Sequence, residues 1–171
     1  MKPARIPFAL CLAAAFAPAL AAKPPVTPVT PAKPVADARI GAQLDALEYR
    51  YEIDGDGDYK LVFNVDEAGT RSQLVFVRSV VETYGNLQIR EVWSPGYVAT
   101  GDQFPVEVAN RLLEASMQAK LGAWTRSGNH AFFVVRLPAD ADAETLDTVI
   151  TAAITTADAM EAELTPGKDE L

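Results

Sequence analysis

Residues 106–137 read VEVANRLLEASMQAKLGAWTRSGNHAFFVVRL, and they predict a helix, a stop and a two-stranded hairpin. In the first half, apolar residues recur at helical spacing and would form one stripe; they are Val108, Leu112, Ala115 and Ala119. Pro105 suits a first helical turn, where an N–H has no partner, and Gly122 suits a left-handed stop. We therefore expect a central helix followed by strands at residues 123–126 and 130–137, joined by residues 127–129.

Before this helix, the apolar residues are first spaced as in a helix and then fall at every second position. A short helix with Asp37 as its N-terminal cap is predicted by the spacing of Ile40, Leu44 and Leu47. Alternating patterns then predict four strands, at residues 49–53, about 61–63, 73–80 and 87–93. Turn-like sequences separate them, which indicates an antiparallel meander. Residues 94–103 contain Pro95, Gly96 and Gly101 and are predicted to be irregular.

A long final helix follows Leu137-Pro138. Asp142 can cap it, and its apolar stripe is Leu146, Val149, Ile150, Ala153, Ile154, Ala157, Met160 and Leu164. The predicted order is helix, four strands, helix, two strands, helix. We therefore predict an α+β fold, with an antiparallel sheet and the last helix across one of its faces.

Both ends of the chain resemble targeting signals. Residues 1–21 have the pattern of a secretory signal peptide, with Lys2 and Arg5 before an apolar core and small residues before Ala22. Residues 22–35 are proline-rich and predict an extended linker. The domain is expected at residues 36–165 and a flexible tail at 166–171. The final Lys-Asp-Glu-Leu matches an endoplasmic-reticulum retrieval signal, but we interpret it as coincidence because the leader looks bacterial. We expect a periplasmic or secreted protein.

Charge narrows the range of partners. The chain has 15 basic and 23 acidic residues, a net charge of −8, and loss of Lys2 and Arg5 with the leader makes it −10. An acidic surface repels nucleic acid and anionic lipid, so neither is an expected partner. The apolar run of the leader is short for a membrane span, so no span is expected in the mature chain. The one cysteine, Cys11, lies in the leader, so no disulfide or thiolate site is expected.

Three sequence features support a family resemblance. They are Leu112-Leu113-Glu114-Ala115-Ser116 followed by Gly122, the hairpin that ends in Arg136-Leu137-Pro138, and Ala157-Asp158 late in the last helix. With the element order, they make residues 36–164 resemble the YbjN domain family, whose fold is similar to that of type III secretion chaperones. The resemblance implies a chaperone-like or regulatory role without agreed catalytic residues, and export for members with a leader.

Asp54, Asp56 and Asp58 resemble the opening of a calcium-binding loop, because alternate carboxylates can surround a hard cation. An EF-hand needs glycine at the sixth position and glutamate at the twelfth, where this chain has Tyr59 and Val65. Gly-Asp turns between strands are also common. We therefore favour a solvated hairpin turn over a calcium site.

Catalytic signatures are weak in this sequence. His130 is the single histidine, no serine lies in a G-x-S-x-G elbow, and no acid–base pair can be named. We expect a non-enzymatic binding protein without a cofactor, engaging a protein partner. The alternative is a small-molecule or metal-ion binding protein that uses residues 94–103 and nearby aromatic residues. Those aromatics either line a pocket or belong to the core; they are Trp93, Trp124, Phe132 and Phe133.

The strands carry apolar residues on both faces, so one face could bind a partner. We assign one set to the helices: Leu61, Phe63, Leu74, Phe76, Phe133, Val135 and Leu137. The opposite set is then Val62, Val75, Val77, Phe132 and Val134. The period of two fixes only that the sets oppose each other. We predict that the second set binds a protein segment or a second copy in a homodimer; the alternative is that the central helix covers it.

Overall fold

The structure is a computed structural model that describes residues 35–66 and 68–167. Their three helices, α1 to α3, are Ala38–Ala46, Val106–Gln118 and Ala143–Leu164. Their seven strands, β1 to β7, are Glu52–Ile53, Tyr59–Asn64, Ser72–Val77, Glu82–Tyr84, Leu87–Val98, Ala123–Ser127 and His130–Pro138. The predicted signal peptide, all of the predicted linker except Val35, and the Lys-Asp-Glu-Leu end lie outside the described residues.

The seven strands form one antiparallel sheet in the order β1-β2-β3-β5-β7-β6, and β4 pairs with β5 beside this path. The predicted α+β class is confirmed, and the predicted element order is nearly right. It lacks β4, and the third strand, predicted to reach Val80, ends at Val77. All three residues of β4 are exposed, so the alternation of apolar residues that indicates a half-buried strand is missing there.

Strand β5 continues through part of the segment that was predicted to be irregular. Residues 94–98 belong to it, with a register shift between Pro95 and Tyr97. Proline is tolerated at such a bulge, which is why a sequence with prolines and glycines still forms a strand here. Gly96 is also required by packing, because a Cβ atom there would lie 2.5 Å from the ring of Trp124.

The unit of α2, β6 and β7 follows the sequence prediction closely. Gly122 has the expected left-handed backbone, with φ of +75°, and an added Cβ would lie 2.4 Å from the carbonyl oxygen of Val134. The helix itself ends earlier, at Gln118, and Ala119 is already extended. Gly122 therefore directs the chain into β6 rather than ending α2. The hairpin turn has two residues, Gly128 and Asn129, instead of the expected three.

All three helices pack on the same face of the sheet. Buried residues of α1 and α2 join the α3 stripe and the inward side chains of the strands in one cluster. The α3 residues in it are Leu146, Val149, Ile150, Ala153, Ile154, Ala157 and Met160. The expected caps are present, because the Asp37 and Asp142 side chains accept the N–H groups of Arg39 and Thr145. No helix within the described residues is long and apolar enough to cross a membrane.

A buried arginine ties the start of α1 to the sheet. The Arg90 guanidinium donates to the carbonyl oxygens of Arg78 and Ser79, at 2.6 and 3.1 Å, and pairs with the Asp37 carboxylate. The Asp37 backbone N–H donates to Ser79 Oγ at 3.0 Å. Because a buried charge is costly when it loses its partners, this cluster holds α1 in one position on the sheet.

The packing of α3 gives a stability prediction. Ile150 and Ile154 lie in the core, so changing either one to aspartate places an unpaired carboxylate there and should cost about 4 kcal/mol or more. Exposed Thr151 between them provides the control Thr151→Asp, which should change stability little. Thermal unfolding followed by circular dichroism measures all three variants. If Ile150→Asp or Ile154→Asp melted like the parent, this packing of α3 would be wrong.

The contact between Tyr49 and α3 gives a pH prediction. The Tyr49 hydroxyl donates to the Asp147 carboxylate, and burial followed by this hydrogen bond raises the Tyr49 pKa from 10.0 to about 12. Because the folded pKa exceeds the unfolded one, the contribution to stability is complete below pH 10 and is lost as the pH approaches 12. Urea unfolding should therefore show a steeper loss of stability above pH 10 for the parent than for Tyr49→Phe. Equal slopes would contradict this contact.

Candidate functional site

The structure corrects the predicted assignment of the two sheet faces. Leu61 pairs with Val75 across β2 and β3, and both are buried beneath the helices. Val75 and Val77 therefore belong to the core, and their prediction as partner-binding residues is wrong. Leu74 and Phe76 lie on the opposite face instead. Residues 74–77 are all apolar, so the hydrophobic pattern of β3 cannot choose which side faces inward.

The face away from the helices is called the outer sheet face here, and its apolar residues are Val62, Leu74, Phe76, Trp93, Phe132 and Val134. Val62, Phe132 and Val134 were predicted to lie on this face. Only Val62 is largely exposed, with 60% of its surface accessible. Phe132 is half-buried, and Val134 is fully buried between its cross-strand neighbours Trp93 and Ala123. The outer sheet face thus offers less apolar surface than the sequence suggests.

Polar side chains of the protein cover much of the aromatic surface on the outer sheet face. The Arg78 guanidinium lies 4.9 Å from the centroid of the Trp93 ring, and the Phe132 ring lies 5.3 Å from it. Trp93 Nε1 donates to Glu91 at 2.8 Å, and Glu91 also pairs with Arg136 at 2.8 Å. The Trp93 ring is therefore held by contacts within the protein, which leaves little of it free to contact a ligand.

The aspartate-rich turn uses its carboxylates within the protein. Asp54 Oδ1 accepts the backbone N–H groups of Asp56 and Asp58, at 2.9 and 3.0 Å. The Asp58 carboxylate is buried, pairs with Arg78 and accepts the Ser79 N–H at 2.7 Å. Within residues 35–66 and 68–167, no group of three or more His, Cys, Asp or Glu side chains is placed to hold a metal ion. The geometry is that of a turn closed by its own side chains.

The aromatic residues considered for a pocket are divided by the sheet. Trp124 and Phe133 lie in the core with ring centroids 5.5 Å apart, whereas Trp93 and Phe132 lie on the outer sheet face. They therefore line no common pocket. The His130 ring stacks on Phe132, with centroids 5.9 Å apart, so it also takes part in side-chain packing on that face.

The most exposed apolar residues of α2 were not singled out by the sequence prediction. Val106, Leu113 and Met117 have 73%, 68% and 88% of their surfaces accessible, and Leu121 just after the helix has 44%. These four residues are called the α2 surface here. The three helical positions have the spacing i, i+7 and i+11, so they lie on one side of α2, opposite Val108 and Leu112. In the sequence, these residues form a second apolar stripe with the same helical spacing, offset from the first by about half a turn.

A groove between α2 and β6 extends the α2 surface. It has a volume of about 290 Å³ and is lined mainly by apolar side chains, among them Phe104, Leu112, Leu113 and Trp124. Leu113 belongs to both the groove and the α2 surface. Ser116 Oγ accepts the Trp124 N–H at 2.9 Å and donates to the Leu112 carbonyl at 2.8 Å, which fixes α2 against the edge strand β6.

One flank of the α2 surface is acidic. Glu107 and Glu114 are exposed there, and neither forms a salt bridge with another described residue. Arg111 farther around the helix forms two hydrogen bonds to Glu163, at 2.6 and 2.7 Å. These bonds raise the pKa of Arg111 and lower the pKa of Glu163. Arg111 also interacts electrostatically with Glu114. Because Glu107, Glu114 and Glu163 together outnumber Arg111, the flank keeps a net negative charge.

Comparison of the chain with protein-family models gave no match, and comparison with curated proteins gave none either. The resemblance to the YbjN domain family therefore stays a prediction from the sequence.

Proposed function

We propose that this protein is a non-enzymatic binding protein that engages a protein partner through the α2 surface, in a chaperone-like or regulatory role. The observation that carries the proposal is the exposure of Val106, Leu113 and Met117, each at least two-thirds accessible, on one side of a helix. The predicted signal peptide supports the periplasm as the compartment.

Helix α2 has apolar residues on two opposite sides. The side of α2 with Val108 and Leu112 packs into the core, which accounts for its position in the fold. The other side has no such role, and contiguous exposed apolar residues are typical of surfaces that bind proteins. Met117 adds to this because methionine is flexible and polarizable and adapts to different partner surfaces.

The α2 surface is a better candidate than the outer sheet face. The Trp93 ring contacts Arg78, and Glu91 with its partner Arg136 holds Trp93 in place, so binding at Trp93 would first have to displace these contacts. The apolar side chains of the α2 surface are already accessible, and a groove of about 290 Å³ lies beside them. Binding on Val106, Leu113 and Met117 buries apolar area that is already accessible.

Small-molecule binding is the second candidate, and one observation favours it. A groove of about 520 Å³ lies between α2 and α3, with Ala115 and Ala119 on one side and Thr155 and Thr156 on the other. Its size falls in the range of ligand pockets. Its lining is partly polar and includes the charged residues Arg111, Lys120 and Glu163, so we rank it below the α2 surface. A specific ligand retained through purification would reverse this order.

A double variant of the α2 surface should capture less of a partner protein than a matched double variant elsewhere on the domain. Changing Leu113 and Met117 together to glutamine removes the apolar side chains while keeping good helix formers. The matched control changes Tyr84 and Leu87 to glutamine, because they are also exposed and apolar but lie on the β4–β5 hairpin. Tagged parent and variants are used for capture from the periplasm of the native cell, with quantitative mass spectrometry.

We expect at least one protein to be captured by the parent and by the hairpin control and to fall at least about tenfold with the α2 variant. A tenfold change corresponds to about 1.4 kcal/mol, a modest loss for two buried apolar side chains. Thermal unfolding checks that both variants keep the fold. A captured set that does not change with the α2 variant would refute the proposed function, and so would equal losses in both variants.

A further inference from the structure

We propose that the occupant of the α2 surface is an amphipathic helix of another protein, whose apolar stripe is flanked by lysine or arginine. This inference rests on the function proposed above and names the chemistry of the partner. It follows from the shape of the surface, from the charge of its flank and from the hydrogen bonding of the neighbouring edge strand.

The shape of the surface fits a helix. The α2 helix has 13 residues, and its exposed apolar side chains form a single row along it. A helix of similar length can lay its own apolar row beside this one, as helices do when they pack ridges into grooves. The adjacent groove, lined by Phe104, Leu112 and Trp124, provides a pocket for one of the incoming apolar side chains.

The edge strand beside the groove favours a helix over an extended segment. β6 is at the edge of the sheet, and added strands bind by pairing with free backbone groups of such an edge. The Trp124 N–H is already bonded to Ser116 Oγ of α2, so that donor is not free to pair with a partner strand. α2 also lies against this edge, which is a common way to prevent strand addition.

The flank charge selects a basic partner. Glu107 and Glu114 lie on the same side of the apolar row, two helical turns apart, and are exposed. Arg111 interacts electrostatically with Glu114, while both of its hydrogen bonds go to Glu163. One guanidinium therefore faces three carboxylates, and the flank stays negative. Lysine or arginine on a partner helix would gain favourable contacts along this flank, and glutamate would be repelled.

The same flank disfavours a second copy of this chain as the occupant. In an antiparallel pair of α2 helices, Glu107 and Glu114 would face the equivalent flank of the other copy, and like charges would meet. A parallel pair would bring the flank toward Arg126, whose guanidinium donates to neutral oxygens, namely the backbone carbonyls of Asp102 and Gly128 and the side-chain amide of Gln103. Ultracentrifugation, described below, therefore tests the parallel pair directly, whereas a separate basic helix brings no like charges together along the acidic flank.

Synthetic peptides of about 20 residues test the inference, because shorter isolated helices are marginally stable. One probe has a leucine stripe with lysine flanks, the second has the same stripe with glutamate flanks, and the third has the composition of the first in scrambled order. Binding to the purified chain is measured by fluorescence anisotropy.

The charge-reversal variant is Glu107→Lys with Glu114→Lys. Its control is Glu52→Lys with Glu82→Lys, which changes the net charge equally on the exposed strands β1 and β4.

We expect the lysine probe to bind about tenfold more tightly than the glutamate probe and than the scrambled probe, as two or more favourable exposed charge pairs allow. The α2 charge reversal should invert the preference, and the control should keep it. Equal binding of the lysine and glutamate probes, or an inversion in both variants, would overturn the inference. Binding of no probe would overturn it as well.

A second copy is tested on the same samples by analytical ultracentrifugation. A dimer that dissociates when Leu113 and Met117 become glutamine would show that the occupant is this chain, and would overturn the basic-helix inference. These failures are separate from a failure of the proposed function. That function fails only if the protein capture described above does not depend on the α2 surface.

Discussion

The packing of α3 across one face of the sheet is the constraint on which the rest of the structure depends. Its apolar stripe occupies the inner face over β3, β5 and β7. Because α3 takes this central position, α2 packs at the end of the sheet against β6, with only one of its two apolar sides covered. The exposed α2 surface is thus a consequence of how the core is filled.

Polar contacts then fix the elements that apolar packing alone would leave free to shift. Arg90 joins Asp37 at the start of α1 to the backbone at the end of β3, and Ser116 joins α2 to β6. On the outer sheet face, Glu91 and Arg78 hold Trp93. The last contact explains why a sheet face with no helix on it within the described residues is still not the most exposed apolar part of the domain. Long polar side chains cover it.

Local patterns predicted the features that local physics determines. The α3 stripe, the Asp37 and Asp142 caps and the left-handed Gly122 follow from helical period, capping chemistry and glycine geometry. Which face of β3 is buried could not be predicted, since both of its faces are apolar and only pairing with β2 decides between them. The end of β5 depends on a bulge at Pro95 and on space for Trp124 beside Gly96. The α2 surface could be recognised only once the structure showed which stripe is buried.

The most direct test of the central claim places a photo-crosslinking phenylalanine analogue at position 117 of the full chain in its native cell. Met117 is the most exposed residue of the α2 surface, and Tyr84 on the β4–β5 hairpin is a similarly exposed control position. The account predicts a discrete crosslinked adduct with another protein from position 117 and none from position 84. The absence of an adduct at position 117, or the same adduct from both positions, would contradict it.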